Sequence, residues 1–472
     1  MGRANVDPLT EAPGGVEFDA DLARRYDGRG PRYTSYPTAN LMRPEFPAAT
    51  YEQAARESNQ EPIPAPISLY VHIPFCTSPC FYCGCTKIIT RDRTRSEPYL
   101  DFLTREIALQ AQLFDSDREV VQLHFGGGTP TFLDASQMRR VVEELGSHFS
   151  FSDREDREFS IEIDPRTVDR DYVTQLVEMG FGRMSMGVQD FDPLVQQKVN
   201  RLQPEELTLE AMSAAREAGV KGVSIDLIYG LPLQTAESFS RTLERITLCR
   251  PDRIALYSYA HMPQLFKPQK QIVESDLPSP AEKLRILELS IARLTEAGYV
   301  YIGMDHFALP EDELAVSQRA GTLHRNFQGY STHAGCDLVG FGMSSISSVG
   351  DCYAQNAKLI GPWEAALADG RLPIEKGLVL TVDDRIRRDL IQELMCQGQV
   401  DLKALGDRYR LDTTGYLSPE LKRLEPLIAD GLVTPWEAGF RVTPKGRLLL
   451  RAVAMVFDAH LNGEVERFSK VI

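Results

Sequence analysis

The chain has 472 residues, 43% hydrophobic and 25% charged, which is ordinary globular usage and length enough for one large domain and a smaller one. A formal charge of -15 argues against a protein that coats nucleic acid or an anionic membrane, because both repel it at long range. The opening MGRANVDPLTEAPGG lacks the apolar core of a secretory signal, and Leu448–Phe457, broken by Arg451, falls short of the about 20 residues a membrane span needs, so a cytoplasmic protein without membrane insertion is expected.

Residues 1–65 are rich in Pro, Arg and Tyr and are expected to form an N-terminal arm or lid. From Leu69 short apolar runs alternate with helical patterns. Strands are expected over 68–74, 120–125, 159–164, 182–189, 222–228 and 253–260, with helices near 135–147, 168–179, 203–218 and 235–248 between the later ones. After the first strand, Tyr99, Phe102, Leu103, Ile107, Ala111 and Phe114 recur at helical spacing and form one stripe. Six such strand–helix units predict an α/β fold, a partial (β/α)6 barrel over 66–305 with right-handed crossovers.

A helical pattern over 280–297 and a strand at 299–304 follow. Residues 305–356 are polar, glycine-rich and aromatic, so the segment 306–371 is read as a loop-built site wall and connection. The last section, 372–472, opens on the helix cap Thr381-Val382-Asp383-Asp384 and carries Ile386, Leu390 and Leu394 on one face. It is expected to be mainly helical. Gly431–Val433 and Phe440–Val442 pair as a hairpin before a helix from Pro444, a winged-helix-like arrangement, which the acidic chain makes a cap over the substrate mouth and not a DNA reader.

Eight cysteines are present, and four fall between Cys76 and Cys85. Cys249, Cys336, Cys352 and Cys396 are scattered, which is no disulfide framework and reads as small buried apolar side chains. Cys76, Cys80 and Cys83 stand at C-x3-C-x2-C spacing directly after the first strand. Three thiolates in one loop hold three irons of a [4Fe–4S] cubane and leave the fourth open to the amino and carboxylate groups of a methionine moiety. Structural zinc is the rival, but it favours a second C-x2-C pair, and none follows. A ferredoxin is disfavoured because it completes all four ligands in a short chain. Cys85, one residue past Gly84, is read as a thiol packing near the cluster or substrate and not as a fourth ligand.

The second strand ends in Phe125-Gly126-Gly127-Gly128-Thr129-Pro130, where missing Cβ atoms let backbone approach a ligand. On the next three strands, Ile161 and Ile163 alternate with Glu162 and Asp164, Met184, Met186 and Val188 with Ser185, Gly187 and Gln189, and Val223, Ile225 and Leu227 with Ser224, Asp226 and Ile228. Polar groups therefore converge toward one side near the C-terminal strand ends, where barrels of this kind bind ligands, and Glu162, Gln189 and Asp226 are expected to line one pocket. Arg201, in the loop after the fourth strand, is placed to balance a carboxylate there.

These segments, with Pro31-Arg32-Tyr33-Thr34-Ser35-Tyr36-Pro37-Thr38, Ser185–Phe191, Gly303–Ala308, His324–Tyr330 and Cys352–Asn356, resemble the oxygen-independent coproporphyrinogen III oxidases of haem biosynthesis, within the radical S-adenosylmethionine (radical SAM) superfamily. The likeness runs from about residue 25 to the C-terminus. It implies two S-adenosylmethionine molecules, one touching Tyr70, Gly127, Glu162 and Ile346, the other Tyr82, Gly128, Thr129, Gln189, Arg201, Asp226 and Ala260. The family usually has Phe where Tyr82 stands, with Phe81 and Tyr82 exchanged here, so an aromatic face is kept.

The implied reaction removes two propionate carboxylates of coproporphyrinogen III as CO2 and leaves the vinyl groups of protoporphyrinogen IX, through a 5′-deoxyadenosyl radical. No side chain is then required as general acid or base. Arg29, Arg32 and Arg325 are the candidates for the substrate's carboxylates. The resemblance further implies a reductant protein such as flavodoxin or ferredoxin and a monomer. A haem chaperone of the same superfamily is the competing reading, although that branch typically lacks Cys85 and the arm.

Overall fold

The computed structural model describes residues 15–461 together with Phe468 and Lys470; positions 1–14 of the arm and the remainder of the C-terminal end lie outside the described residues. The chain divides into two compact units, one of Asn40–Lys283 and Gly335–Leu380, the other drawn from 1–39, 284–334 and 381–472.

The first unit is a partial (β/α)6 barrel. The six expected strands are found at Ile67–Ile73 (β1), Glu119–Gly127 (β2), Glu158–Ile163 (β3), Arg183–Gln189 (β4), Gly222–Tyr229 (β5) and Arg253–Ser258 (β6). They pair in parallel in chain order. The helices between them are Ser96–Ala111, Ala135–His148, Arg170–Glu178, Glu205–Glu217 and Ala236–Cys249. Their starts are set locally: Asp134 with Gln137 and Thr235 with Ser238 form capping boxes, and Asp169 caps Arg170–Glu178 through the amide of Tyr172. On β3, β4 and β5 every second residue is buried, while Glu162, Ser185, Gly187, Gln189, Ser224, Asp226 and Ile228 stand half-buried on the other face, as the period of two requires.

That inner face is polar from its floor upward. Ser68 donates to Gln122 Oε1 at 2.8 Å, Gln122 donates to Glu158 Oε1 at 3.1 Å, and Arg183 pairs with Glu158 at 3.5 Å, a row across β1 to β4. Paired in this way, buried polar groups avoid the cost of going unsatisfied.

Beyond β1 the sheet continues through strands that the sequence did not suggest. Asp337–Phe341 runs parallel to β1, and Ile346–Val349, Cys352–Asn356 and Ile374–Val379 follow antiparallel. The loop-built wall expected over 305–356 is therefore partly sheet. The reason is chemical: Ser345, Ser347, Gln355 and Asn356 are buried, so hydropathy does not alternate, and side-chain hydrogen bonds take the place of apolar packing. Ser347 accepts from Gly340 N at 2.9 Å. Asn356 donates at 2.5 Å to Glu106, a buried carboxylate that also accepts from Gly342 N at 2.8 Å and Trp363 Nε1 at 3.1 Å. Burial pushes the Glu106 carboxyl up to about 7, against the three donors that favour its charge.

The second unit holds the helix Ala20–Tyr26, so the arm is not wholly extended, and in the first unit its residues 48–58 are also helical. The strand expected at 299–304 is Val300–Gly303, antiparallel to His306–Ala308. The cap at Thr381 starts Val382–Gln397, closed by left-handed Gly398. Gln399–Asp401, Gly439–Val442 and Val433–Trp436 form a small antiparallel sheet beside Leu402–Tyr409 and Ser418–Ala429, the winged-helix-like pattern expected. The helix placed from Pro444 begins later, as a 3-10 turn at Arg447–Leu449 running into Leu450–Met455. Among the described residues no helix is long and apolar enough to cross a membrane.

One buried ion pair ties the ends of the barrel unit together. Arg118 meets Asp337 at 2.6 Å and also donates to Ser58, Asn59 and the carbonyl of Ala65, while Asp337 accepts from Gly350 N at 2.9 Å. Replacing Asp337 by Ala strands the guanidinium in a buried site, and urea denaturation is expected to show a loss of about 3 kcal/mol or more.

Candidate active site

The cysteine loop leaves β1 and is braced from several sides. Phe75–Cys76 pairs with Ile88–Ile89, with Ile88 N donating to Pro74 O at 2.7 Å and Thr90 N to Cys76 O at 2.9 Å. On the far half, Phe81 N donates to Val199 O at 2.9 Å and Asn200 Nδ2 to Pro79 O at 2.7 Å. Each thiol has its own neighbour: Thr129 Oγ1 is 3.4 Å from Cys76 Sγ, Arg201 Nη1 is 3.6 Å from Cys80 Sγ, and the Cys85 amide donates to Cys83 Sγ at 3.4 Å.

Contact with Cys85, helped by the Lys87 cation, draws the Cys83 thiol down to about 5, whereas burial pushes that of Cys76 up to about 11. The Cys85 thiol is pushed up in turn by Cys83. Among the described residues no three Cys, His, Asp or Glu side chains converge as a single metal ion needs. A cubane asks for no such convergence, because each thiolate takes a separate iron.

The glycine turn lies against this loop, and it must be glycine. A Cβ on Gly128 would stand 2.6 Å from Pro74 O, and one on Gly127, whose φ is +120°, 2.8 Å from the His72 ring. Gly127 N donates to Glu162 Oε2 at 3.2 Å. The other Glu162 oxygen is 3.7 Å from His124 Nε2, and Tyr70 stacks on His124 with ring centres 5.9 Å apart. Tyr70 OH in turn meets His72 Nδ1 at 3.1 Å. Tyr70, Gly127 and Glu162 are thus brought together by two histidines to which the sequence alone gives no role, although His124 shares the face of Gln122 on β2 by the same period of two.

Arg201 is the hub of the other side. It donates to Gly187 O at 2.7 Å and pairs with Asp164 at 3.3 Å, in addition to Cys80. Burial opposes the Asp164 charge, but Arg201 and Arg166 outweigh it and hold the carboxyl down to about 2. Asp226 is pushed up to about 7, first by burial and then by the Glu162 carboxylate, with Arg201 pulling the other way.

Gln189 ends β4 with φ +72°, at a register shift against β5. Its Oε1 and the Nε of Arg201 are buried with no partner, two polar atoms left for something else to meet. Together with the donor set of three thiols and the glycine cradle, these orphaned atoms fit a cluster carrying a polar, zwitterionic ligand.

The carbonyls of Tyr82 and Ala260 are joined through Gln269, a residue the sequence reading did not single out. Ile346 opens the strand Ile346–Val349 and is half-buried. Of the arginines considered for substrate carboxylates, all in the second unit, Arg32 is ion-paired with Asp305 and Arg29 donates to Phe468 O at 3.2 Å. Arg325 is buried with its guanidinium carbon 4.5 Å from the Tyr330 ring centre, and its Nε and Nη1 have no partner.

Residues 70–246 match the radical SAM superfamily, and residues 380–449 match the HemN C-terminal domain. The oxygen-independent coproporphyrinogen III oxidase of Pseudomonas aeruginosa is 46% identical over 97% of this chain and 99% of its own length. That of Escherichia coli strain K12 is 47% identical over the same shares. The solved structure of the Escherichia coli enzyme, described as a radical SAM enzyme, superposes with a TM-score of 0.90 at 46% identity, over 95% of this chain and all of that one. A chain this similar over nearly its whole length, with the three-thiol loop and the glycine turn in place, belongs to the oxygen-independent coproporphyrinogen III oxidases of the radical SAM superfamily.

Proposed function

We propose that the chain converts coproporphyrinogen III to protoporphyrinogen IX by oxidative decarboxylation of two propionates, the family's step in haem biosynthesis. The observation that carries this reading is the braced loop of Cys76, Cys80 and Cys83 beside the Gly126–Gly128 turn, in a chain matched over 97% of its length by oxidases of that name. When bound, a [4Fe–4S] cluster and S-adenosylmethionine supply an electron and a 5′-deoxyadenosyl radical able to take a hydrogen atom from the propionate side chain.

The chain's own residues hold and orient. Cys76, Cys80 and Cys83 grip three irons. Tyr70, Gly127, Glu162 and Ile346 receive one S-adenosylmethionine, while Tyr82, Gly128, Thr129, Gln189, Arg201, Asp226 and Ala260 receive a second; the unpartnered Gln189 Oε1 and Arg201 Nε support that assignment. Arg201, fully engaged on one edge by Asp164 and Gly187, has its Nε left to meet an anionic group. Arg325, with two unpartnered nitrogens, is the arginine best supplied to meet a substrate carboxylate. No side chain here acts as general acid or base, and a small reductant protein delivers electrons to a cytoplasmic monomer.

Under strict anaerobiosis, with a one-electron reductant, S-adenosylmethionine and an acceptor for the electron that each propionate radical gives up as it loses CO2, the chain is expected to release CO2 from coproporphyrinogen III and form protoporphyrinogen IX. Tight haem binding with no CO2 release would point instead to a chaperone. Replacing any one of Cys76, Cys80 or Cys83 by Ala is expected to abolish activity and strip iron, whereas Cys85→Ser keeps its iron; iron analysis and the visible spectrum distinguish the two.

Asp226 adds a pH signature. With its carboxyl near 7 it is neutral below that pH and anionic above, and an anion there attracts the sulfonium and ammonium of the cofactor. S-adenosylmethionine is therefore expected to bind more tightly as pH rises through about 7 in the wild type. Titrations of Asp226→Asn should show weaker binding at high pH and lose that dependence.

A further inference from the structure

Gln269 lies in the 3-10 turn Lys267–Gln271, buried, and all three functions of its amide are used. Nε2 donates to Tyr82 O at 2.9 Å and to Ala260 O at 3.2 Å, while Oε1 accepts from Met262 N at 2.5 Å. Two donors and one acceptor in that arrangement fix the amide's orientation, and among side chains of this size only glutamine offers both. Phe266, in the residue before the same turn, lies over Gly84, where a Cβ would sit 3.0 Å from its ring. The 260–271 segment thus clasps the cysteine loop at residues 82 and 84, on both sides of Cys83. The Tyr82 ring packs against the cluster of Val195, Val199, Leu231, Tyr259 and Ile272, so its backbone has little room to drift once the carbonyl is held.

We propose that Gln269 is a positioning residue for the second S-adenosylmethionine: it locks the wall formed by Tyr82 and Ala260 to the Cys83 side of the cluster loop, so that contact of that molecule with this wall and the seat of the first at the cluster are set together. The inference rests on the functional reading above. Coupling of this kind is reciprocal: a ligand that fixes the Ala260 loop fixes the loop at Cys83, and loosening the link weakens the ligand.

The test uses reconstituted holoenzyme, with the reduced cluster's paramagnetic resonance signal followed as S-adenosylmethionine is added. Gln269→Leu removes all three hydrogen bonds, and Gln269→Glu keeps the acceptor for Met262 while losing both donors. Both variants are expected to hold as much iron as the wild type, to need roughly tenfold more S-adenosylmethionine for the spectral change, and to show a raised KM for it with a smaller change in kcat. A merely structural role would leave the titration unmoved in any variant that carries its iron. A responsive wild type alongside equally responsive variants overturns the inference alone, and a wild type with no spectral response overturns the functional reading and this inference with it. If neither variant loads iron, amide exchange in the wild type decides: slower exchange at Met262 on adding S-adenosylmethionine supports the link, and unchanged exchange contradicts it.

Discussion

The constraint on which the site depends is that three thiols on one irregular loop must keep fixed spacing with almost no secondary structure of their own. A loop free to move would let its thiols close on a single ion or drift apart, and neither serves an open-cornered cubane. The chain meets this by bracing the loop from every neighbouring segment: the Ile88–Ile89 strand on Cys76, Val199 and Asn200 on the stretch around Cys80, and Gln269 beside Cys83. The glycines of the β2 turn complete the cradle, because backbone at Pro74 and Phe75 occupies the space a side chain on Gly128 would take.

The barrel interior follows from the same demand. A ligand with both charges needs polar walls, yet unpaired polar groups inside a fold are costly. The polar row across the floor is hydrogen-bonded and ion-paired within the protein, whereas higher up Gln189 Oε1 and Arg201 Nε are left open. Arg201 links the two regimes. It pairs with Asp164, caps the Gly187 carbonyl and touches Cys80, so a single guanidinium sets the charge balance of both the pocket wall and the cluster loop.

Much of this was legible in the sequence because the relevant signals are local. Six strands and their crossovers were readable from period-two and helical runs, the three-thiol loop from cysteine spacing, and the polar inner face from residues at alternate positions of β3, β4 and β5. What stayed hidden has a common cause, the pairing of buried polar groups across long sequence distances. Glu106 interrupts an apolar stripe because it serves Asn356 and Trp363, and Asn356, with Ser345, Ser347 and Gln355, gives the strands beyond β1 the look of a polar loop. His124 sits in the correct period but takes its meaning only from Glu162 and Tyr70. Gln269 lies in a short turn with no periodicity at all, and nothing but the fold brings it to Tyr82 and Ala260.

One corner of the cluster is expected to be left without a protein ligand and taken by the methionine end of S-adenosylmethionine. Mössbauer spectroscopy of anaerobically reconstituted, iron-57-labelled protein addresses it directly. Addition of S-adenosylmethionine should change the parameters of a single iron while those held by Cys76, Cys80 and Cys83 keep theirs. A cubane whose irons all remain alike before and after the addition, or a preparation that takes up zinc in place of iron, would contradict the account.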